Sequence, residues 1–130
     1  MKTMDEIMRE IEPILVEVLA VEPEGIVPSA KLFEDLGGES IDLLELSFHC
    51  EKHFGVKLRL QELASPDELI TDEAGRLTAE SLSAVTTRFP FLDYSDFEAD
   101  PMKNRMTELL TLEAIACFVH DALGSDYLFG

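Results

Sequence analysis

Asp35-Leu36-Gly37-Gly38-Glu39-Ser40-Ile41-Asp42 is the stretch on which the rest of the chain turns. Two adjacent glycines give the backbone freedom to turn sharply and to approach another surface closely. Ser40 follows them, and serine is a favoured helix N-cap. From Ile41 the apolar residues recur at helical spacing: Ile41, Leu44 and Phe48 on one strip, Leu43, Leu46, Cys50 and Phe54 on its neighbour. The spacing predicts a helix from about Ile41 to Phe54, stopped by Gly55. Ser40 then stands at the exposed start of that helix. Free backbone N–H groups and the helix dipole favour an anion there, and a phosphate ester on Ser40 would be well placed. An N-cap role alone is the competing reading. A hydrolase nucleophile elbow requires G-x-S-x-G after a strand. Gly38-Glu39-Ser40-Ile41-Asp42 lacks the second glycine, and no strand pattern precedes it.

Leu32-Phe33-Glu34-Asp35-Leu36-Gly37-Gly38-Glu39-Ser40-Ile41-Asp42-Leu43-Leu44-Glu45-Leu46 resembles the prosthetic-group site of acyl carrier proteins, with its E-D-L-G-x-D/E-S-L/I-D pattern. The resemblance runs from about Thr3 through Leu58 and returns at Thr111-Leu112-Glu113-Ala114-Ile115. It implies an all-α, acyl-carrier-like helical bundle that is not an enzyme. It further implies that Ser40 carries 4′-phosphopantetheine, attached from coenzyme A by a separate phosphopantetheinyl transferase. Acyl groups would then travel as thioesters on that arm, for fatty-acid, lipid or polyketide biosynthesis. Partner docking falls on Glu39, Ile41, Asp42, Leu44, Glu45 and Phe48. The partners so implied are acyl-loading and acyl-transfer enzymes with basic docking patches. Gly37-Gly38 also resembles peptidyl carrier domains, which favour G-G-x-S, so an aminoacyl or peptidyl carrier stands as the alternative. An unmodified acidic interaction module is a third reading. His49, Lys52 and His53 depart from the acidic end usual for this helix.

Composition bounds the function. Asp and Glu total 27 against 10 Lys and Arg, for a net charge of −17. Such a field repels nucleic acid and anionic membranes and attracts basic protein surfaces. Among its 130 residues 46% are hydrophobic, enough for one globular core. Cys50 and Cys117 lie in apolar helical patterns and read as small core residues, with no CxxC spacing. No apolar run approaches a membrane span, and Asp5 and Glu6 stand where a signal peptide would be apolar. A cytoplasmic monomer without membrane insertion is the expectation, and no metal site is indicated.

The remaining elements follow in order. Thr3-Met4-Asp5-Glu6 has the capping-box pattern, and Ile7, Ile11, Ile14, Leu15 and Val18 continue a first helix over 4–19. Pro13 inside it predicts a kink or break. A loop to Glu39 is anchored by Ile26, Val27, Leu32, Phe33 and Leu36, with a helical turn expected over 30–36. We read residues 1–130 as a single carrier domain, with an insertion, mostly helical, inside about 62–110. Its signals are Ser65-Pro66-Asp67-Glu68, a turn at 72–75, and a helix from Thr78 to about Arg88. An aromatic run, Phe89 to Phe97, follows and reads as a satellite core, and residues 102–110 read as helical. Asp93, Asp96, Glu98 and Asp100 lack the spacing of a calcium loop and read as a solvated face. Thr111 caps the last helix, which Gly124 is expected to end.

Overall fold

A computed structural model describes residues 2–58, 60 and 69–129, with side chains to residue 124. Five α-helices are described: α1 (Met4–Leu19), α2 (Ser40–Phe54), α3 (Ala79–Arg88), α4 (Ser95–Ala99) and α5 (Leu112–Phe129). Two 3₁₀ segments, Pro23–Gly25 and Lys103–Leu109, complete the order, and the only described β pairing is isolated bridges. The chain is thus all-α. No described helix is long and apolar enough to cross a membrane.

Thr3 caps α1 through its hydroxyl, which accepts from the Glu6 N–H at 3.2 Å. Ile7, Ile11 and Leu15 then recur on one buried stripe. α1 is continuous through Pro13, so no break in the helix occurs there. Pro13 lies on the exposed side, so the carbonyl it leaves unbonded can face solvent. α1 packs against α2 and along α5. α2 contributes Leu43, Leu46 and Cys50 to the core, and Gly55 closes it with φ +73°. Leu58 N–H donates to Glu51 Oε1 at 3.1 Å, turning the chain back toward the bundle.

Residues 69–110 are built from their own local signals. Thr78 caps α3 by accepting from the Ser81 N–H at 3.2 Å. The turn at 72–75 is held by Asp72, whose Oδ1 accepts from the N–H groups of Ala74 and Arg76. The aromatic run does not form a separate satellite core. Phe89 and Phe91 meet Phe118 of α5 with ring centroids 5.3 and 5.1 Å apart. Phe89, Leu92, Tyr94 and Phe97 are buried in the same cluster as Ile7, Leu43 and Ile115. Tyr94 donates its hydroxyl to Phe89 O at 2.6 Å, and burial pushes its phenol up to about 12. The stretch 65–68 and its expected helix start lie outside the described residues.

Thr111 caps α5, accepting from the Ala114 N–H at 3.0 Å. α5 does not stop at Gly124 but continues to Phe129. One glycine inside a helix costs only about 1 kcal/mol, too little to end one whose preceding turns are buried. Ser47 on α2 is buried, and its hydroxyl has no hydrogen-bond partner. Ser47→Ala is therefore expected to leave stability unchanged or raise it by up to about 1 kcal/mol, since it removes an unpaired polar group and improves helix propensity. Urea unfolding of the two proteins checks this, and a loss above about 1 kcal/mol would show that the hydroxyl is bonded.

Candidate functional site

The loop before α2 is tied at both ends before it reaches the glycine pair. Asp35 Oδ2 accepts from the Lys31 N–H at 2.8 Å, and the Asp35 and Leu36 N–H groups return to Lys31 O. This is the helical turn expected over 30–36. Ile26, Leu32 and Leu36 are buried anchors and Phe33 is half-buried, but Val27 is exposed and anchors nothing. Gly37 takes φ +70°, a left-handed conformation that favours glycine. Gly38 has an ordinary φ but no room. A Cβ built there would lie 2.9 Å from Leu32 O and 3.4 Å from Leu19 Cδ2. The Gly38 N–H donates to the same Leu32 O at 2.9 Å. The two glycines thus answer two constraints, one conformational and one steric.

Ser40 is not the N-cap of α2. Glu39 is, and Ser40 is the first helical residue. Asp42 completes the capping box, its Oδ2 accepting from the Glu39 N–H at 2.8 Å. The reason is spacing: Glu39 and Asp42 are three apart, and carboxylates at both positions do the work assigned to the serine. The Ser40 hydroxyl is exposed and makes no hydrogen bond among the described residues. The N–H groups of Ser40 and Ile41 likewise have no partner among the described residues. The capping reading of Ser40 is thereby removed. An unpaired, accessible oxygen at the positive end of a 15-residue helix fits a phosphodiester such as that of 4′-phosphopantetheine.

Along α2 the second apolar strip is not core. Ile41, Leu44 and Phe48 are 71%, 64% and 60% exposed. They form a ridge one turn apart, with Glu39 and Glu45 exposed beside it and Asp42 half-buried in its cap. Exposed apolar side chains arranged in a row mark an interaction surface more than isolated ones do. The basic end of α2 has a structural role. His53 Nε2 lies 2.8 Å from Glu10 Oε1, joining α2 to α1. Hydrogen bonds from Lys2 and His53 hold the Glu10 carboxyl below its usual range. Lys52 sits over the Phe48 ring at 6.0 Å, so the ridge carries a cation at its far end.

Residues 107–110 reach this loop directly. Leu32 N–H donates to Leu110 O at 2.8 Å, Lys31 Nζ lies 3.2 Å from Glu108 Oε1, and Thr107 Oγ1 donates to Glu34 Oε1 at 2.9 Å. Hydrogen bonds from Arg105 and then Lys31 hold the Glu108 carboxyl below its ordinary value. Nothing in the composition of residues 103–110 signalled this bracing, because it depends on contacts more than seventy positions apart. Both thiols sit in the bundle, Cys50 buried and Cys117 half-buried. Burial pushes Cys50 up to about 12 and also raises Cys117. Among the described residues no cluster of His, Cys, Asp or Glu could hold a metal ion.

A family model described as the phosphopantetheine attachment site matches residues 9–71. The chain is 44% identical over 55 residues to an acyl carrier protein of Rhodopseudomonas palustris, covering 42% of this chain and 70% of that one. It is 32% identical over 69 residues to an acyl carrier protein of Campylobacter hominis, 51% of this chain and 87% of that one. An acyl carrier protein of Thermosynechococcus vestitus is 39% identical over 57 residues, 44% of this chain and 70% of its own.

The steric argument at Gly38 is testable by stability. Gly38→Ala forces its Cβ against a backbone oxygen and is expected to cost about 1–3 kcal/mol. Gly25→Ala, where an added Cβ meets nothing within 4 Å, should change stability by less than about 0.5 kcal/mol. Chemical denaturation of both variants checks the contrast, and equal effects would contradict it.

Proposed function

This chain belongs to the acyl carrier protein family, and on that premise we propose that Ser40 is its attachment residue and an acyl group its cargo. The protein is a carrier, not an enzyme, and bears covalently attached 4′-phosphopantetheine. As a family member it interacts with a phosphopantetheinyl transferase and with acyl-handling enzymes. The observation that carries the assignment to Ser40 is its free, exposed hydroxyl, released from capping by Glu39 and Asp42.

Each nearby residue then has a task. Gly37 and Gly38 let the loop close tightly enough to present Ser40 at the edge of the bundle. Asp42 fixes the first turn by holding the Glu39 N–H. Ser40 Oγ would hold the group through an ester bond to its phosphorus. The unpaired N–H groups of Ser40 and Ile41 at the helix end would favour the negative charge of that phosphodiester. When bound, the group supplies a thiol that holds the acyl chain as a thioester. Ile41, Leu44 and Phe48, with Glu39, Asp42 and Glu45, form the docking ridge that brings partners with basic patches to Ser40. Tethering raises the effective concentration of cargo at each docked enzyme.

Fatty-acid, lipid or polyketide biosynthesis is the setting we propose. The glycine pair does not argue against acyl cargo, because both glycines are accounted for by the loop's geometry. We further propose a single carrier domain whose bundle is interrupted within about 62–110 by the inserted segment. Its support is the common core that joins both parts.

Incubation with coenzyme A, magnesium and a broad-specificity phosphopantetheinyl transferase, followed by intact-protein mass spectrometry, tests the attachment. The native chain should gain a single phosphopantetheine increment and Ser40→Ala none. An increment that persists in Ser40→Ala would move the site elsewhere. Preferential loading by an amino-acid-adenylating enzyme would replace acyl by aminoacyl cargo.

A further inference from the structure

A cavity of about 270 Å³ opens where the inserted region meets α5 and the loop before α2. It is smaller than the ~300–1,000 Å³ usual for a small-molecule site, and is closer to the size of one or two side chains. Phe91, Leu92, Phe97 and Ala114 give it apolar walls. Four carboxylates line it, those of Asp93, Asp96, Glu108 and Glu113, against two cations, Lys31 and Arg105. Both cations are already committed to Glu108, Lys31 at 3.2 Å and Arg105 at 2.9 Å. Asp93 accepts from Ser95. The side chains of Asp96 and Glu113 make no hydrogen bond or ion pair among the described residues. The wall therefore has uncompensated negative charge beside aromatic surface.

That combination suits one kind of group: a cation on an aliphatic stem, which can lay its methylenes on the half-buried Phe91 ring and reach carboxylates with its head. Arginine does this best, because its planar guanidinium both stacks and pairs with carboxylates. Ser29 and Lys31 of the loop that leads to Ser40 line the cavity. Lys31 precedes Leu32, whose carbonyl accepts the Gly38 N–H at 2.9 Å.

We propose that this cavity is a second docking point, which takes an arginine side chain from an apolar-flanked segment of a partner enzyme. The inference rests on the carrier reading only for the existence of such a partner. It gives the inserted region a function: half the cavity wall is inserted sequence, so the contact is one a bundle without that segment could not make. Partners with a matching arginine are selected on a surface separate from α2. Asp96 and Glu113 are exposed, so neutralising them perturbs no buried packing.

The test uses the full chain and the acetylated, amidated peptide Leu-Arg-Ser-Arg-Leu, followed by amide chemical-shift changes in an NMR titration. Saturable shifts are expected at residues 91–97 and 113–117, with slower alkylation of Cys117, which lines the cavity. The same peptide with citrulline for arginine, which removes the charge and keeps the shape, should bind at least tenfold more weakly. So should the arginine peptide against the double variant Asp96→Asn, Glu113→Gln. Glu17→Gln with Glu24→Gln, exposed and outside the cavity lining, should leave cavity binding unchanged. Shifts confined to α2, equal binding of the citrulline peptide, equal binding of spermidine, or no saturable shift would each overturn the proposal. None of these bears on the modification of Ser40, which mass spectrometry reads separately.

Discussion

One hydrogen bond, from the Glu39 N–H to the Asp42 carboxylate at 2.8 Å, decides what Ser40 can do. A helix N-terminus leaves several N–H groups without partners, and the side chain that meets them is thereby occupied. In this chain carboxylates take that role at positions flanking the serine. The serine is left in the first helical turn with its oxygen uncommitted and exposed. Replacing such a cap ordinarily costs about 1 kcal/mol, so the device contributes to stability as well as to access. It also accounts for one of the two acidic residues beside Ser40. Asp42 is turned toward the backbone, and its charge is engaged with an N–H.

The rest of the fold keeps that helix end in place. α2 is anchored from beneath by Leu43, Leu46 and Cys50, all at most 1% exposed. Burying a leucine is worth about 1.5–3 kcal/mol, so this face determines how α2 lies against α1 and α5. The loop that delivers Ser40 is pinned by Leu32 and Leu36 and closed onto Leu32 O by Gly38. On its outer side it is braced by Leu110, Glu108 and Thr107. Residues 89–110 are therefore not an appendage. They share the core through Phe118 and reach the loop through hydrogen bonds.

Where local chemistry decides the outcome, the sequence was legible. Thr3, Thr78 and Thr111 cap helices because each hydroxyl is correctly spaced before an apolar run. Gly55 ends α2 for an equally local reason. The exposed position of Ser40 at the start of α2 was readable as well. Competition between neighbours was not. Ser40 and Glu39 are both plausible caps, and only the position of Asp42 three residues after Glu39 selects between them. The ridge of Ile41, Leu44 and Phe48 could not be told from core, because a wide apolar face is buried or bare depending on which elements pack there. Gly124 was expected to end its helix, yet it lies in a segment whose tertiary packing outweighs a local preference. The contacts of Glu34 and Lys31 with residues 107 and 108 have no local signature at all.

The most direct measurement of the central claim is peptide-level mass mapping of the protein purified from its own cells. Fragmentation of the peptide that spans the glycine turn and α2 distinguishes Ser40 from Ser47, the other hydroxyl in that helix. The account predicts phosphopantetheine on Ser40 alone, since Ser47 is buried and Ser40 is the free oxygen at the helix end. Phosphopantetheine on any other residue, or a Ser40 that is unmodified in every preparation, would contradict it.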